Sequence, residues 1–320
     1  MAVLQRIRLL APPEARVLVN QLRPTFRAER RAIERNLRLP STLVPADRKP
    51  GSVWGVALMH NEGDIAGAVI EHLFAQGVDQ VLVADNRSTD GTRDALLALA
   101  ARLPVHVAED DLEAHLQGAK MGVLVARARE CGADWIVPFD ADELWFAEGC
   151  SVADHLRGRD ADIVTAVVHD VFPSRADSTG EPNPFRRLQR FDPRPFPISK
   201  VAFRTGRLLK VAEGNMDVTR RGQRTDGLFI AHYPWRSFEQ LAGKVRHGRR
   251  ALAQTSLGDD MGVHWRTAGA WSDAQLSAAW EDLLDGRPVD DLSWSPLGEL
   301  QTAAPGTWST WQGGGAPQTV

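Results

Sequence analysis

The sequence predicts an α/β fold with a mostly parallel sheet and helices on both faces, preceded by a helical arm and followed by a helical C-terminal region. Three observations predict it. Short apolar runs alternate with helix-period stretches between Val53 and Phe139. Those runs lack apolar–polar alternation, as strands covered on both faces do. Breakers such as Gly77 and Pro104 separate the runs at the spacing of βα units.

Residues 1–50 form a basic helical arm and linker. Arg6, Arg8, Arg16, Arg23, Arg27, Arg30, Arg31, Arg35 and Arg38 crowd it, and Val17, Leu18, Leu22, Phe26 and Ile33 fall near helical spacing. The arm reads as an amphipathic helix packed on the main domain; the alternative is peripheral contact with anionic lipid. Pro40, Pro45 and Pro50 mark the linker. The main domain, 51–235, opens with a strand at 53–59. A helix at 64–76 carries Ile65, Val69, Leu73 and Phe74 on one face and stops at Gly77. Strands at 80–84, 105–108 and 135–139 alternate with helices at 90–102 and 115–130. Beyond Glu143 the pattern weakens to a strand at 163–168, a long ordered loop at 173–197, and short strands at 201–204, 208–211 and 229–232. The C-terminal region, 236–296, holds helices at 238–255 and 275–284, and 297–320 reads as a flexible tail.

A chain of 320 residues, 43% of them hydrophobic, can bury a sizeable core. Its net charge of −3 carries no global basic signal for nucleic acid. Cys131 and Cys150 show neither metal-ligand spacing nor a disulfide framework, which points to a reducing, cytoplasmic setting. No apolar run approaches the roughly 20 residues that span a bilayer, so membrane contact is expected to be peripheral, at the inner face and through the basic arm.

Ligands of open parallel sheets bind beyond the carboxyl ends of the strands. The first strand is followed by His60-Asn61-Glu62, the second ends in Asp85-Asn86, the third leads to Glu109-Asp110-Asp111, and the fourth to Asp140-Ala141-Asp142-Glu143. Clustered carboxylates repel one another and need a cation. Mg²⁺ or Mn²⁺ with bound phosphates meets that need, with Asp140 and Asp142 as ligands. An Asp-x-Asp is common in surface turns; its place after an apolar strand gives this one weight. Asp85, at a strand end, can accept hydrogen bonds from a base or a ribose, while Ser88 or Thr89 caps the next helix.

The runs Met59-His60-Asn61-Glu62, Asp85-Asn86-Arg87-Ser88-Thr89-Asp90-Gly91-Thr92 and Phe139-Asp140-Ala141-Asp142-Glu143 resemble the glycosyltransferase family two superfamily, whose GT-A fold is of Rossmann type. Ser199-Lys200-Val201, His232-Tyr233-Pro234-Trp235-Arg236-Ser237 and Gly262-Val263-His264-Trp265-Arg266 resemble a bacterial branch related to family ninety-two type enzymes. The resemblance covers about residues 53 to 266. It implies metal-dependent transfer of a sugar from a nucleotide-sugar to a carbohydrate or glycoconjugate hydroxyl, with inversion, in polysaccharide or glycoconjugate synthesis. It implies a donor site of His60, Asn61, Glu62, Asp85, Asn86, Lys120 and Asp140, and a Mn²⁺ or Mg²⁺ site at Asp140 and Asp142. Relatives carry a Gly-Asn-His segment where this chain has Gly214-Asn215-Met216-Asp217. His232 is then the candidate for the missing ligand, against a plain reading as a core histidine.

Inverting transfer needs a base for the acceptor hydroxyl. Asp217, Glu213 and Asp170 are the candidates, with Asp217 first because its segment aligns near the donor. Lys244, Arg246 and Arg249 form either a solvated helix face or a cation source for the diphosphate. Trp54 and Trp145 read as core, and Trp235 and Trp265 as surfaces for a sugar. Two other functions compete. A metal-dependent nucleotidyltransferase or sugar-nucleotide hydrolase uses similar acids, but a nucleotidyltransferase would carry a glycine-rich loop after the first strand. A non-catalytic nucleotide-sugar-binding protein is kept open by Met216.

Overall fold

The computed structural model describes residues 24–177, 180–255, 262–302, 308–310 and 318–319. In chain order the elements begin with α1 (Pro24–Asn36), β1 (Leu37–Arg38), β2 (Val53–Met59), α2 (Ala66–Ala75), β3 (Gln80–Asp85), α3 (Thr92–Ala100), β4 (Val105–Asp110), α4 (Gln117–Glu130) and β5 (Trp135–Pro138). There follow β6 (Glu143–Ala147), α5 (Val152–Arg157), β7 (Ile163–Phe172), α6 (Pro184–Arg187), β8 (Arg190–Phe191), β9 (Lys200–Arg204) and a 3-10 turn at Glu213–Asn215. The chain continues through β10 (Arg224–His232), α7 (Phe238–Ala253), α8 (Val263–Ala268), α9 (Asp273–Leu284), β11 (Gln301–Thr302), β12 (Trp308–Thr310) and β13 (Gln318–Thr319).

The main sheet runs β1-β4-β3-β2-β5-β9-β7-β10-β6. Strands β4, β3, β2 and β5 are mutually parallel, as the apolar runs predict. Alternate residues of β2 feed opposite faces. Val53 and Ala57 join Ile70, Leu73 and Leu96 beneath α2 and α3, while Trp54 and Val56 join Met121 and Leu124 of α4 and Ile33 of α1. Each such aliphatic side chain, fully buried, stabilises the fold by about 1.5–3 kcal/mol.

Past β5 the sheet is mixed. β9 runs antiparallel to both β5 and β7, β10 lies parallel to β7, and β6 closes the edge antiparallel to β10. Strand β6 was not expected, because it starts at an acid, Glu143, directly after the turn at Asp142. The C-terminal helices bury Leu241, Val245, Leu276 and Leu283 around Trp235, which is fully buried and so offers no face to a sugar.

The strand expected at 208–211 does not form. A single bridge joins Val211 to Val218, because Gly214 and Asn215 adopt positive φ and turn the chain back at once. The loop at 173–197 contains α6 and β8. In the basic arm Ile33 is buried while Arg27, Arg30 and Arg31 are exposed. Val17, Leu18 and Leu22 lie outside the described residues, as does much of the tail. No helix among the described residues is long and apolar enough to cross a membrane.

Asp134 pins the linker to the start of β5. Its Oδ1 accepts from Arg48 Nε (2.7 Å), and its Oδ2 from Gly51 N and Arg204 Nη1 (both 2.8 Å). The carboxylate side chain is 1% exposed, so these donors stand in for water. Asp134→Ala orphans them together and is expected to cost about 2–4 kcal/mol in urea unfolding. A loss well under 1 kcal/mol would show that water replaces the carboxylate freely.

Candidate active site

A cavity of about 430 Å³ opens at the carboxyl ends of the parallel strands. His60 and Glu62 follow β2, Asn86 follows β3, Asp110 ends β4, and Asp140 to Glu143 follow β5. The opposite wall comes from Lys244 and His247 of α7, Trp265 of α8, and Trp294.

On the side of β3 and β4 the polar groups brace one another. Asn86 Nδ2 donates to Asp110 Oδ2 (2.8 Å) and to the Leu112 carbonyl (2.9 Å). Lys120 of α4 is buried, pairs with Asp110 Oδ2 at 2.6 Å, and also donates to the Leu112 carbonyl. Burial pushes the Lys120 ammonium down from its ordinary pKa, and Asp110 opposes that shift. His60 Nδ1 lies 2.6 Å from the Asn86 carbonyl, which can only accept, so Nδ1 carries the proton. The His60 ring stacks on His247 with centroids 3.7 Å apart, and burial lowers the His247 pKa to about 4.

Two of the expected donor contacts stand back from the cavity. Asn61 is held at positive φ, receives Thr89 N on its Oδ1 at 2.8 Å, and donates its own N to Ser88 Oγ. Its side chain is therefore spent on knitting the first loop to the second. Asp85 is buried at the end of β3, does not line the cavity, and has no hydrogen-bond partner for its Oδ1 among the described residues.

The acids after β5 sit on a floor of cations. Asp140 Oδ2 lies 2.5 Å from Lys200 Nζ, and its Oδ1 accepts from Gln117 Nε2 and Asn215 Nδ2, both at 3.1 Å. Glu143 is fully buried, pairs with Lys200, and accepts from Asp140 N at 3.1 Å. Burial pushes its pKa up to about 7 against the pull of Lys200. Asp142 faces Lys244 Nζ at 2.5 Å, His232 Nε2 at 3.6 Å and Arg236 Nη1 at 4.0 Å. Burial opposes its ionisation, but Lys244, His232 and Arg236 together hold it well below the usual carboxylate range.

His232, the candidate third metal ligand, lines the cavity between two acids. Its Nδ1 lies 2.7 Å from Asp170 Oδ1 and its Nε2 faces Asp142. Burial disfavours the charged ring, yet Asp142 and then Asp170 raise its pKa to about 9. Asp170 is thereby explained as the buried partner of His232, and it does not line the cavity.

Asp217, the first of the candidate bases, lies elsewhere. Its side chain is 58% exposed, its Oδ1 accepts from Arg224 Nη2 and Val218 N, and it lies outside the cavity. Glu213 does line the cavity; its Oε2 is buried without a hydrogen bond, with His115 Nε2 at 3.7 Å. Gly118 permits this approach, since a Cβ there would lie 2.7 Å from the Val211 carbonyl and 3.0 Å from Glu213 Oε1. Of Lys244, Arg246 and Arg249 on α7, Lys244 reaches Asp142, Arg246 pairs with Asp273, and Arg249 donates to the Gly269 carbonyl.

Arg236 was quoted in a motif but not singled out. Its side chain is fully buried. It donates to Asp64 through Nε (2.8 Å) and Nη2 (3.0 Å), and to Glu62 through Nη2. A guanidinium predicted inside an aromatic stretch directly after a strand must find acids, and that signal was present in the sequence. Lys200 was likewise quoted without a role. Among the described residues no group of three His, Cys, Asp or Glu side chains converges as a ready metal cage.

Residues 56–211, just under half of the chain, match the sequence model of Glycosyl transferase family 2. The match takes in the acids after β2, β3 and β5 and ends before His232, Arg236 and Lys244. Among solved structures the chain is similar to S. aureus TarS 1-349 in complex with UDP, at 11% identity over 68% of this chain and 70% of that one, with a TM-score of 0.37. The same protein in complex with UDP-GlcNAc gives 11%, 68%, 70% and 0.36. A putative glucose-1-phosphate thymidylyltransferase from Bacillus anthracis gives 8%, 72%, 83% and 0.29. A comparison with curated proteins finds no match. The matched family makes the chain an enzyme of the glycosyltransferase class.

Removing Arg236 takes the paired cation from Glu62 and Asp64 and one positive neighbour from Asp142. Arg236→Met is expected to cost about 3–5 kcal/mol in chemical unfolding, with Arg236→Lys between it and wild type because charge survives and the fork does not. A stable Met variant would mean that Glu62, Asp64 and Asp142 share protons instead.

Proposed function

We propose that this enzyme transfers a sugar from a nucleotide-sugar donor to a hydroxyl of a carbohydrate or glycoconjugate acceptor, with inversion. The observation that carries the reading is the cavity at the carboxyl ends of β2 to β5, with Asp140 and Asp142 on its floor inside the family-matched segment. The nucleoside belongs on the side of His60, Glu62, Asn86 and Lys120, with Asn61 and Asp85 supporting that side from behind. The motifs at 199–201, 232–237 and 262–266 favour the branch related to family ninety-two type enzymes. The catalytic unit runs past residue 235, because Lys244, Trp265 and Trp294 line the same cavity.

A divalent Mn²⁺ or Mg²⁺ fits the chemistry of Asp140 and Asp142, which offer hard carboxylate oxygens into the cavity. Such ions are commonly held by one or two carboxylates plus substrate phosphates, so a third protein ligand is not required. When bound, the ion neutralises charge on the departing diphosphate. The protein's own cations, Lys200 and Lys244, add to that field. Glu213 accepts the proton of the acceptor hydroxyl, since of the three acids considered it is the one that lines the cavity.

Asp142→Asn is expected to abolish transfer and metal-dependent nucleotide binding with the circular dichroism spectrum unchanged; normal turnover in that variant would remove the reading. Glu213→Gln is expected to lower kcat by about 10²–10⁴-fold with nucleotide affinity nearly unchanged, while Asp217→Asn stays near wild type. The opposite ranking of these two variants would return the base to Asp217.

A further inference from the structure

We infer that Lys244 holds the place on Asp142 that a divalent cation takes when donor binds, and that metal entry hands its ammonium over to the donor diphosphate. The inference rests on the metal-dependent reading above. Lys244, Arg236 and His232 surround Asp142, and they are not held alike. Arg236 is anchored by Glu62 and Asp64, and His232 by Asp170. Glu62 feels its charge, but among the described residues Lys244 makes no second close ion pair; its other hydrogen bond is a long one to the Pro234 carbonyl at 3.5 Å. When another cation arrives, Lys244 is the one that can yield.

Its surroundings allow that movement. Nζ lies 5.6 Å from the ring centres of both Trp235 and Trp294, contacts that attract an ammonium without fixing its direction. Lysine is a point charge on a flexible four-carbon stem, unlike the rigid fork of Arg236. Lys244 also lines the cavity, so a displaced ammonium stays within it. The lysine beside Asp140 behaves differently. Lys200 is shared between Asp140 and Glu143, and it keeps the buried Glu143 if Asp140 turns to a metal. A metal ion on Asp142 would sit about 2.0–2.1 Å from the carboxylate oxygen if it is Mg²⁺, too close to share that oxygen with an ammonium. The arriving diphosphate supplies the negative charge that Lys244 has lost.

The test separates displacement from handover. Mn²⁺ binding without nucleotide is measured by electron paramagnetic resonance on wild type, Lys244→Met and, as a second neutral variant, Lys244→Gln. Both variants are expected to bind Mn²⁺ at least about fivefold more tightly, since one competing positive charge has gone. UDP, GDP, CDP and dTDP are then titrated at saturating Mn²⁺ by calorimetry. The nucleotide that wild type binds is expected to bind both variants at least about fivefold more weakly, with Lys244→Arg in between. Equal Mn²⁺ affinity overturns the displacement. Tighter Mn²⁺ with unchanged or tighter nucleotide binding overturns the handover and leaves Lys244 a mere competitor. If wild type recruits no Mn²⁺ with any of the four nucleotides, the metal-dependent reading itself fails, and this inference falls with it.

Discussion

The buried guanidinium of Arg236 is the constraint on which the site depends. Glu62 and Asp64 arrive on the loop after β2, and Asp142 arrives on the turn after β5. Burial raises the pKa of Glu62 and opposes ionisation of Asp142, so these acids cannot lie side by side without a cation between them. A buried charge with good partners is tolerable, whereas one without them is very costly. Burial weighs against the Arg236 cation too, and Glu62 and Asp64 outweigh it, raising its pKa further above its already high ordinary value. The bidentate contact with Asp64 fixes direction as well as charge. Arg236 also donates its backbone N to Gln240 Oε1, and Ser237 caps α7 through Gln240 N, so the helix that brings Lys244 starts from this anchor.

Acids and cations come from different parts of the chain. The acids that follow β2 and β5 lie within the family-matched segment, while His232, Arg236 and Lys244 lie beyond it. Lys120 and Lys200 are the exceptions, cations inside the match, the first paired with Asp110 and the second steadying Asp140 and Glu143. The seam between the two parts is therefore an electrostatic one, and the strand pairing of β10 with β6, where His232 stands opposite Glu143, draws it tight. In the function proposed above, a boundary at residue 235 would cut through this seam, and the region after it is part of the same active unit.

What was legible in the sequence was what local pattern controls. The runs at 53–59 and 80–84 read as buried strands because, Gln80 at the start of the second apart, their residues are apolar or small, as covering of both faces requires. Asp140 and Asp142 were found because strand ends point their successors into one cavity. The misreadings arose where distant partners decide. The partner of His232 could not be read locally, because Asp170, which holds its Nδ1, lies 62 residues away. Glu213 and Asp217 lie close in sequence, yet positive φ at Gly214 and Asn215 sends one inward and the other out to Arg224. Strand β6 was hidden because its first residue is an acid, accepted in the interior through Lys200, Asp140 N and Trp145 Nε1.

The two residues of β1 have a significance for how the molecule behaves in a crowded solution. They pair antiparallel with the last residues of β4, Leu37 opposite Asp110 and Arg38 opposite Glu109. Without them, that end of β4 would present unpaired N–H and C=O groups, a template on which another copy could add a strand. The cover is short and closes with charge, since Arg38 reaches Glu109 and Asp111 on its exposed side. A two-residue strand ending in an ion pair offers little to a further strand. This small segment between arm and linker thus guards the sheet against self-association.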